Sequence, residues 1–196
     1  MKLINITSAN IKNSSNTKGF TLIELIIVIG VLGVLAAVLL IAIDPVEQLR
    51  RGRDAGRISS VTQLGRAVQQ YIAAQGVGTY PCIGAAPCAF AAGNWMTILV
   101  GSGDIKQVIP DPSPVTPCTP SASGSLQNSF CYVPFAGNTD GAIWIGVDSN
   151  TYKNKAGSCT GGTKYAAATY IFSKGGTGID CLTANTAQPT AADTLY

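Results

Sequence analysis

The sequence predicts an α+β protein. A long amino-terminal helix, membrane-spanning in its first half, packs through its second half on a small antiparallel sheet stapled by disulfides. Three observations carry that expectation. Residues 20–43 (FTLIELIIVIGVLGVLAAVLLIAI) are a 24-residue apolar run with one charge. After Pro45, apolar side chains recur at three- and four-residue steps, as one helix face requires. All six cysteines, and every run that reads as a strand, lie beyond that helix.

The apolar run is the first element. Residues 25–43 hold no ionisable group, which gives about 28 Å of helix against a bilayer core ~30 Å thick. A secretory signal peptide is the poorer reading, because its apolar region is ~7–15 residues long and ends at a small-residue cleavage site that is missing here. An ordinary single-span anchor fits the composition but not Glu24. A carboxylate inside hydrocarbon costs at least a few kcal/mol and marks a functional position that needs a partner. No basic residue lies within reach on the same helix face, so a charged partner has to come from another chain or from a new amino terminus.

Composition narrows the function. Charged residues make up 12% of the chain, about half the usual ~25% of a soluble domain. The net charge is +3, and three of the positives (Lys2, Lys12 and Lys18) precede the run. The balanced remainder gives phosphate-driven binding no footing, and no nucleic-acid partner is expected for the head. The chain has no histidine, which removes Ser-His-Asp and Cys-His catalysis and the commonest metal ligand. The residues carry no G-x-S-x-G and no closely paired carboxylates. Gly101-Ser102-Gly103 reads as a turn, not a phosphate loop. An enzyme is not expected, and no cofactor.

The junction between the polar leader and the apolar run reads KGFTLIEL over residues 18–25. It resembles the cleavage and methylation motif of type IV prepilins and type II secretion pseudopilins, with Gly before the cut, Phe after it and Glu fifth in the mature chain. The resemblance implies that a prepilin peptidase cuts between Gly19 and Phe20 and that Phe20 is N-methylated. It also implies that Glu24 of one subunit neutralises the new Phe20 ammonium of its neighbour in a filament. Burying either charge alone is costly, whereas the opposed pair compensates and fixes the stagger. The expected partners are copies of this chain and related pilins, the peptidase, an inner-membrane assembly platform, and the membrane itself before assembly. One departure is visible: the helix-weakening proline common within the family's span is replaced by Pro45 at its edge, with Gly30 and Gly33 as other weak points.

Beyond the span, Leu49, Ile58, Val61, Leu64, Val68 and Ile72 form the packing face of an amphipathic helix, and Arg50, Arg53, Arg57, Gln63 and Arg66 take other faces. One near-continuous helix is expected over residues 20–75, ending at Gly76-Val77-Gly78. Asp44 and Glu47 are placed to pair with arginines. The arginines at 50, 51, 53 and 57 compete with the leader lysines under the positive-inside rule, so charge leaves the topology open. The cysteines (Cys82, Cys88, Cys118, Cys131, Cys159 and Cys181) place the head in an oxidising compartment. Without a C-x-x-C pair, zinc is a poor fit. Six cysteines allow fifteen pairings; the sequential set Cys82–Cys88, Cys118–Cys131 and Cys159–Cys181 is favoured. Only the last resembles the bridge that fastens the C-terminal region in many pilins.

Strands are expected at residues 130–133, 142–147 and 165–172, with a hairpin turn at 138–141 (NTDG) and Trp144, Tyr170 or Phe172 in the core. Five prolines within residues 110–120 mark a stiff loop. Residues 183–196 read as polar and loosely held. Some pseudopilins bind calcium in a C-terminal loop; no D-x-D-x-D-G pattern occurs here, and Asp140 or Asp148 are the first positions to test. The layout is therefore a cleaved leader (1–19), a transmembrane or filament-core helix (20–43), its amphipathic continuation (44–76) and an extracellular head (77–196). The expected role is a pilus-like filament subunit, held in the inner membrane with its amino terminus in the cytoplasm and then displayed at the cell surface. A type II secretion pseudopilin and an unprocessed membrane-anchored binding module are the alternatives.

Overall fold

The structure, a computed structural model, describes residues 19–76, 79–81, 94–110, 118–119, 125–135, 140–155, 159, 164–184, 187–190, 193 and 195. The chain divides into two compact units, Met1–Asp44 and Pro45–Tyr196. In the first, α1 runs from Leu22 to Ala42, and none of its residues is buried. In the second, α2 (Pro45–Gln75), α3 (Trp95–Ser102) and α4 (Asn150–Lys155) accompany an antiparallel sheet. Its strands are β1 (Ser125–Gln127), β2 (Phe130–Pro134), β3 (Gly141–Gly146), β4 (Tyr165–Ile171) and β5 (Gly176–Leu182), in spatial order β1-β2-β3-β4-β5.

The near-continuous helix is corrected to two. Ile43 closes α1 in an extended conformation (φ −106°, ψ 92°), and α2 begins at Pro45. Proline disfavours the helical conformation for the residue before it and has no N–H to donate, which is why the helix breaks at Ile43-Asp44. The three expected strands fall in β2, β3 and β4, shifted by a residue or two at their ends. The first half of the NTDG turn, Asn138 and Thr139, lies outside the described residues. Helices α3 and α4 and strands β1 and β5 were not foreseen. The short β1–β2 turn is Asn128-Ser129, both at positive φ (50° and 65°), the backbone a two-residue hairpin requires.

The sheet is covered on both faces. On one face Val61, Leu64, Ala67 and Val68 of α2 and Trp95, Met96 and Leu99 of α3 meet Tyr132, Ile143, Ile145 and Tyr170. The opposite face carries Val133, Trp144, Ala167, Ile171 and Leu182, with Ala187 and Leu195 packed against it. The C-terminal residues are thus partly anchored, where a loosely held tail was expected. Helix α2 approaches β4 closely because Gly65 has no side chain: a Cβ there would collide with the Tyr170 ring. Cys118 is bonded to Cys131 in β2, and Cys159 to Cys181 in β5. The expected pair Cys82–Cys88 lies outside the described residues.

Two assignments on α2 are overturned. Leu49, expected to pack, is exposed. Arg57, expected off the packing face, is fully buried. It lies one turn before Val61 and two before Leu64, on the face that meets the sheet. Asp54 permits this burial, receiving an Arg57 Nη1 hydrogen bond at 2.6 Å with both side chains inaccessible to water.

Candidate processing and assembly segment

The segment begins at Gly19 and Phe20, both exposed, with Phe20 retaining 89% of its surface. Thr21 caps α1. Its Oγ1 accepts from the Glu24 N–H at 3.3 Å, while its own N–H and hydroxyl donate to Glu24 Oε2 at 2.9 and 2.8 Å. This capping box satisfies helix-terminal donors reciprocally and sets a carboxylate at the positive end of the helix dipole. Sequence reasoning sought the partner of Glu24 in another chain. The folded subunit supplies a first partner from Thr21, three residues away. The S/T-x-x-E pattern, Thr21 to Glu24, was the signal for it.

The Thr21 N–H belongs to the Phe20–Thr21 peptide, so a cut between Gly19 and Phe20 would leave the box whole. Glu24 Oε2 takes both bonds from Thr21, and among the described residues no donor meets Oε1. That oxygen can receive a further donor without dismantling the cap. Beyond Glu24 the helix offers only apolar side chains to its surroundings, from Leu25 at 61% exposure to Ile43 at 55%. By length and composition α1 can cross a membrane. In water such a face is untenable, so lipid or other protein must cover it.

Within the head, a polar row on α2 fixes the spine to the sheet. The Glu47 carboxylate accepts from the Thr151 N–H and hydroxyl at 3.1 and 3.3 Å and lies 3.6 Å from Arg51 Nε. Asp54 accepts from the Asp148 N–H at 3.0 Å and the Ser149 N–H at 2.7 Å. Thr62 bonds Thr177 of β5, and Gln69 takes the Tyr170 hydroxyl and donates to the Phe172 carbonyl, all at 2.7 Å. Positions 47, 54, 62 and 69 recur about every two turns, so one edge of the helix presents them all to the sheet layer. Apart from the Glu47–Arg51 pair, which the sequence suggested, these contacts were not legible in sequence, because each partner is roughly a hundred residues away.

Partial burial raises the Glu47 pKa, but the donors at Thr151 and Asn150 and the Arg51 charge outweigh it and hold the carboxyl below its ordinary 4.5. A depressed carboxylate stabilises the fold above its ordinary pKa, and that contribution is lost as pH falls through the lowered folded value. Glu47→Gln is expected to melt below the wild type at pH 7. The gap should close as acid protonates the wild-type carboxyl, and thermal unfolding from pH 7 to pH 2 checks it. A gap independent of pH would show that shape, not charge, matters at this position.

Of the two candidate calcium positions, Asp140 uses one carboxylate oxygen within the fold. Asp140 Oδ1 accepts the Gly141 and Ser173 N–H groups at 2.7 and 2.9 Å, tying the β2–β3 connection to the turn after β4. Asp148 contributes its N–H to Asp54. Among the described residues no three His, Cys, Asp or Glu side chains converge as a metal site would require.

An exposed apolar helix followed by a disulfide-stapled α+β head defines a pilin-like architecture. Residues 14–40 match the family model described as the prokaryotic N-terminal methylation motif, the prepilin-type signal characteristic of type IV pilins and pseudopilins. The match covers Gly19, Phe20 and Glu24 together with most of α1. No curated protein and no solved structure gave a significant match.

Proposed function

We propose that the chain is a structural subunit of a type IV pilus-like filament. A prepilin peptidase would remove residues 1–19 and methylate Phe20. The subunit would wait in the inner membrane with its amino terminus in the cytoplasm, and α1 would then pass into a bundle of its own kind. The observation that carries this reading is the conjunction of the methylation motif with a helix that is apolar and unburied along its whole length. Membrane lipid covers such a helix before assembly, and neighbouring copies cover it afterwards. Burying each large apolar side chain away from water is worth ~1.5–3 kcal/mol, which would make shedding subunits into water very unfavourable.

Glu24 has two roles in this reading. Its Oε2 keeps the helix capped through Thr21, and its Oε1 is free for the Phe20 ammonium of the neighbouring subunit. Glu24→Ala is expected to leave cleavage and methylation intact while lowering the subunit recovered in sheared surface filaments about tenfold or more, since the buried ammonium is left uncompensated. Mass spectrometry of membrane and sheared fractions reads both quantities. Unchanged filament recovery would refute the assembly role. A chain retaining Met1 with free thiols would return the protein to an ordinary membrane anchor.

One observation favours a second reading. Gly78-Thr79-Tyr80-Pro81 after α2 resembles the layout of major pseudopilins of type II secretion, and Tyr80 is buried near Phe172, with ring centroids 6.1 Å apart. A secretion piston would leave the processed chain in the membrane fraction, and loss of the gene would abolish protein secretion without removing surface filaments.

A further inference from the structure

We propose that the first two turns of α2 form a headgroup site for an anionic phospholipid. Arg50 and Arg53 hold its phosphate, and Val46 and Leu49 enter the apolar border of the bilayer; the site rests on the reading of α1 as membrane-spanning before assembly. Four of the chain's five arginines lie at residues 50, 51, 53 and 57. Two of them are answered within the head, Arg51 by Glu47 at 3.6 Å and Arg57 by Asp54 at 2.6 Å. Arg50 and Arg53 meet no acid among the described residues. Both are half-buried, and the Arg53 Nε is shut off from water without a hydrogen-bond partner.

Positions 46, 49, 50 and 53 follow the i, i+3, i+4, i+7 spacing of one helix face. Val46 and Leu49 are 53% and 66% exposed there, beside the two unanswered cations. The adjacent edge of α2 is pinned to the head, Glu47 by Thr151 and Asp54 by the Asp148 and Ser149 amides, so the face is presented in a fixed orientation. Solvated arginines alone leave the two exposed aliphatic side chains unexplained. A helix lying at a membrane surface uses both: apolar residues enter the acyl boundary, and arginine stems run along them to the headgroups.

Chain length brings this face to the membrane. Helix α1 has 21 residues, about 31 Å at ~1.5 Å each, which matches a hydrocarbon core ~30 Å thick. Val46 follows Ala42 by four residues, so it lies within about 14 Å of the end of α1 whatever path the chain takes. A guanidinium takes two phosphate oxygens at once through its planar fork. An anionic headgroup suits the pair better than a zwitterionic one, because it brings no ammonium of its own to oppose them. The contact belongs to the subunit before assembly and ends when α1 leaves the bilayer.

The test uses the full chain in lipid nanodiscs of phosphatidylcholine alone and of an equal mixture with phosphatidylglycerol. Phenylglyoxal modification of each arginine is followed by mass spectrometry. At low salt Arg50 and Arg53 are expected to react roughly threefold or more slowly in the mixed discs, and high salt should restore most of the rate. Arg51, on another face, should change less, and Arg66, exposed farther along α2, not at all. Equal reactivity of Arg50 and Arg53 in the two discs would overturn the proposal, as would slowing shared equally by Arg51 and Arg66. Slow reaction in both discs that is relieved at one chain per disc would also overturn it, by assigning the face to a second copy. Hydrogen exchange of residues 22–42 in the same discs separates the two readings. Protection there with unaltered arginines refutes the lipid site alone, whereas loss of protection refutes the spanning helix and the site with it.

Discussion

Asp54→Ala is expected to destabilise the head by about 3–5 kcal/mol, a large share of the ~5–15 kcal/mol that holds a typical domain. The carboxylate neutralises Arg57 inside the protein and receives two backbone N–H groups from Asp148 and Ser149. Removing it leaves a guanidinium buried without its counter-ion and two amides without acceptors, and both costs add. Asp54→Asn keeps an oxygen for the amides but not the charge, so it should lose less. Differential scanning calorimetry of the purified chain should show the Ala variant melting roughly 10 °C or more below wild type, with Asn between. A loss for Asp54→Ala no larger than that of an exposed ion pair, ~0–1 kcal/mol, would mean that Arg57 finds water or another partner when Asp54 is absent.

Gly65→Val is the second large effect, and its direction depends on place. Glycine costs a helix interior ~1 kcal/mol relative to alanine, so replacing it in α2 should help wherever space permits. At Gly52 and Gly56 a Cβ would meet nothing within 4 Å, and alanine there is expected to stabilise the isolated subunit by about 0.5–1 kcal/mol. At Gly65 the same change drives a side chain into Tyr170, which is 1% exposed and held through its hydroxyl by Gln69. Overpacking of that kind costs ~1–3 kcal/mol, and valine at the closest approach of helix and sheet belongs at the top of the range. Chemical denaturation of the three variants side by side measures the contrast. A stabilised Gly65→Val protein would show that α2 can ride away from β4 without penalty.

The two effects expose the limit of periodicity. Val61, Leu64 and Val68 could be placed on the packing face because apolar spacing reports burial directly. Arg57 shares that face, yet a lone cation in the pattern reads as solvent-facing, since burial of a charge is unfavourable until its partner is known. Asp54 sits three residues away and was visible, but the amides that hold it in place come from residues 148 and 149, which only the fold brings near. Strand β5 (GTGIDCL) was missed for a related reason. Two glycines and an aspartate weaken its strand propensity, and its place is fixed by pairing with β4 along its length and by the Cys159–Cys181 bridge.

By itself the sequence determined the local and one-dimensional features: a helix long and apolar enough to span a membrane, the motif at its entrance, and the class of head that follows. Those features follow from composition, 3.6-residue periodicity and short fixed spacings, which need no long-range contact to be read. Tertiary structure decided where charge is tolerated inside the head and which face the C-terminal residues cover. Each of those depends on groups brought together by folding, whose desolvation is favourable only once the partner is in place.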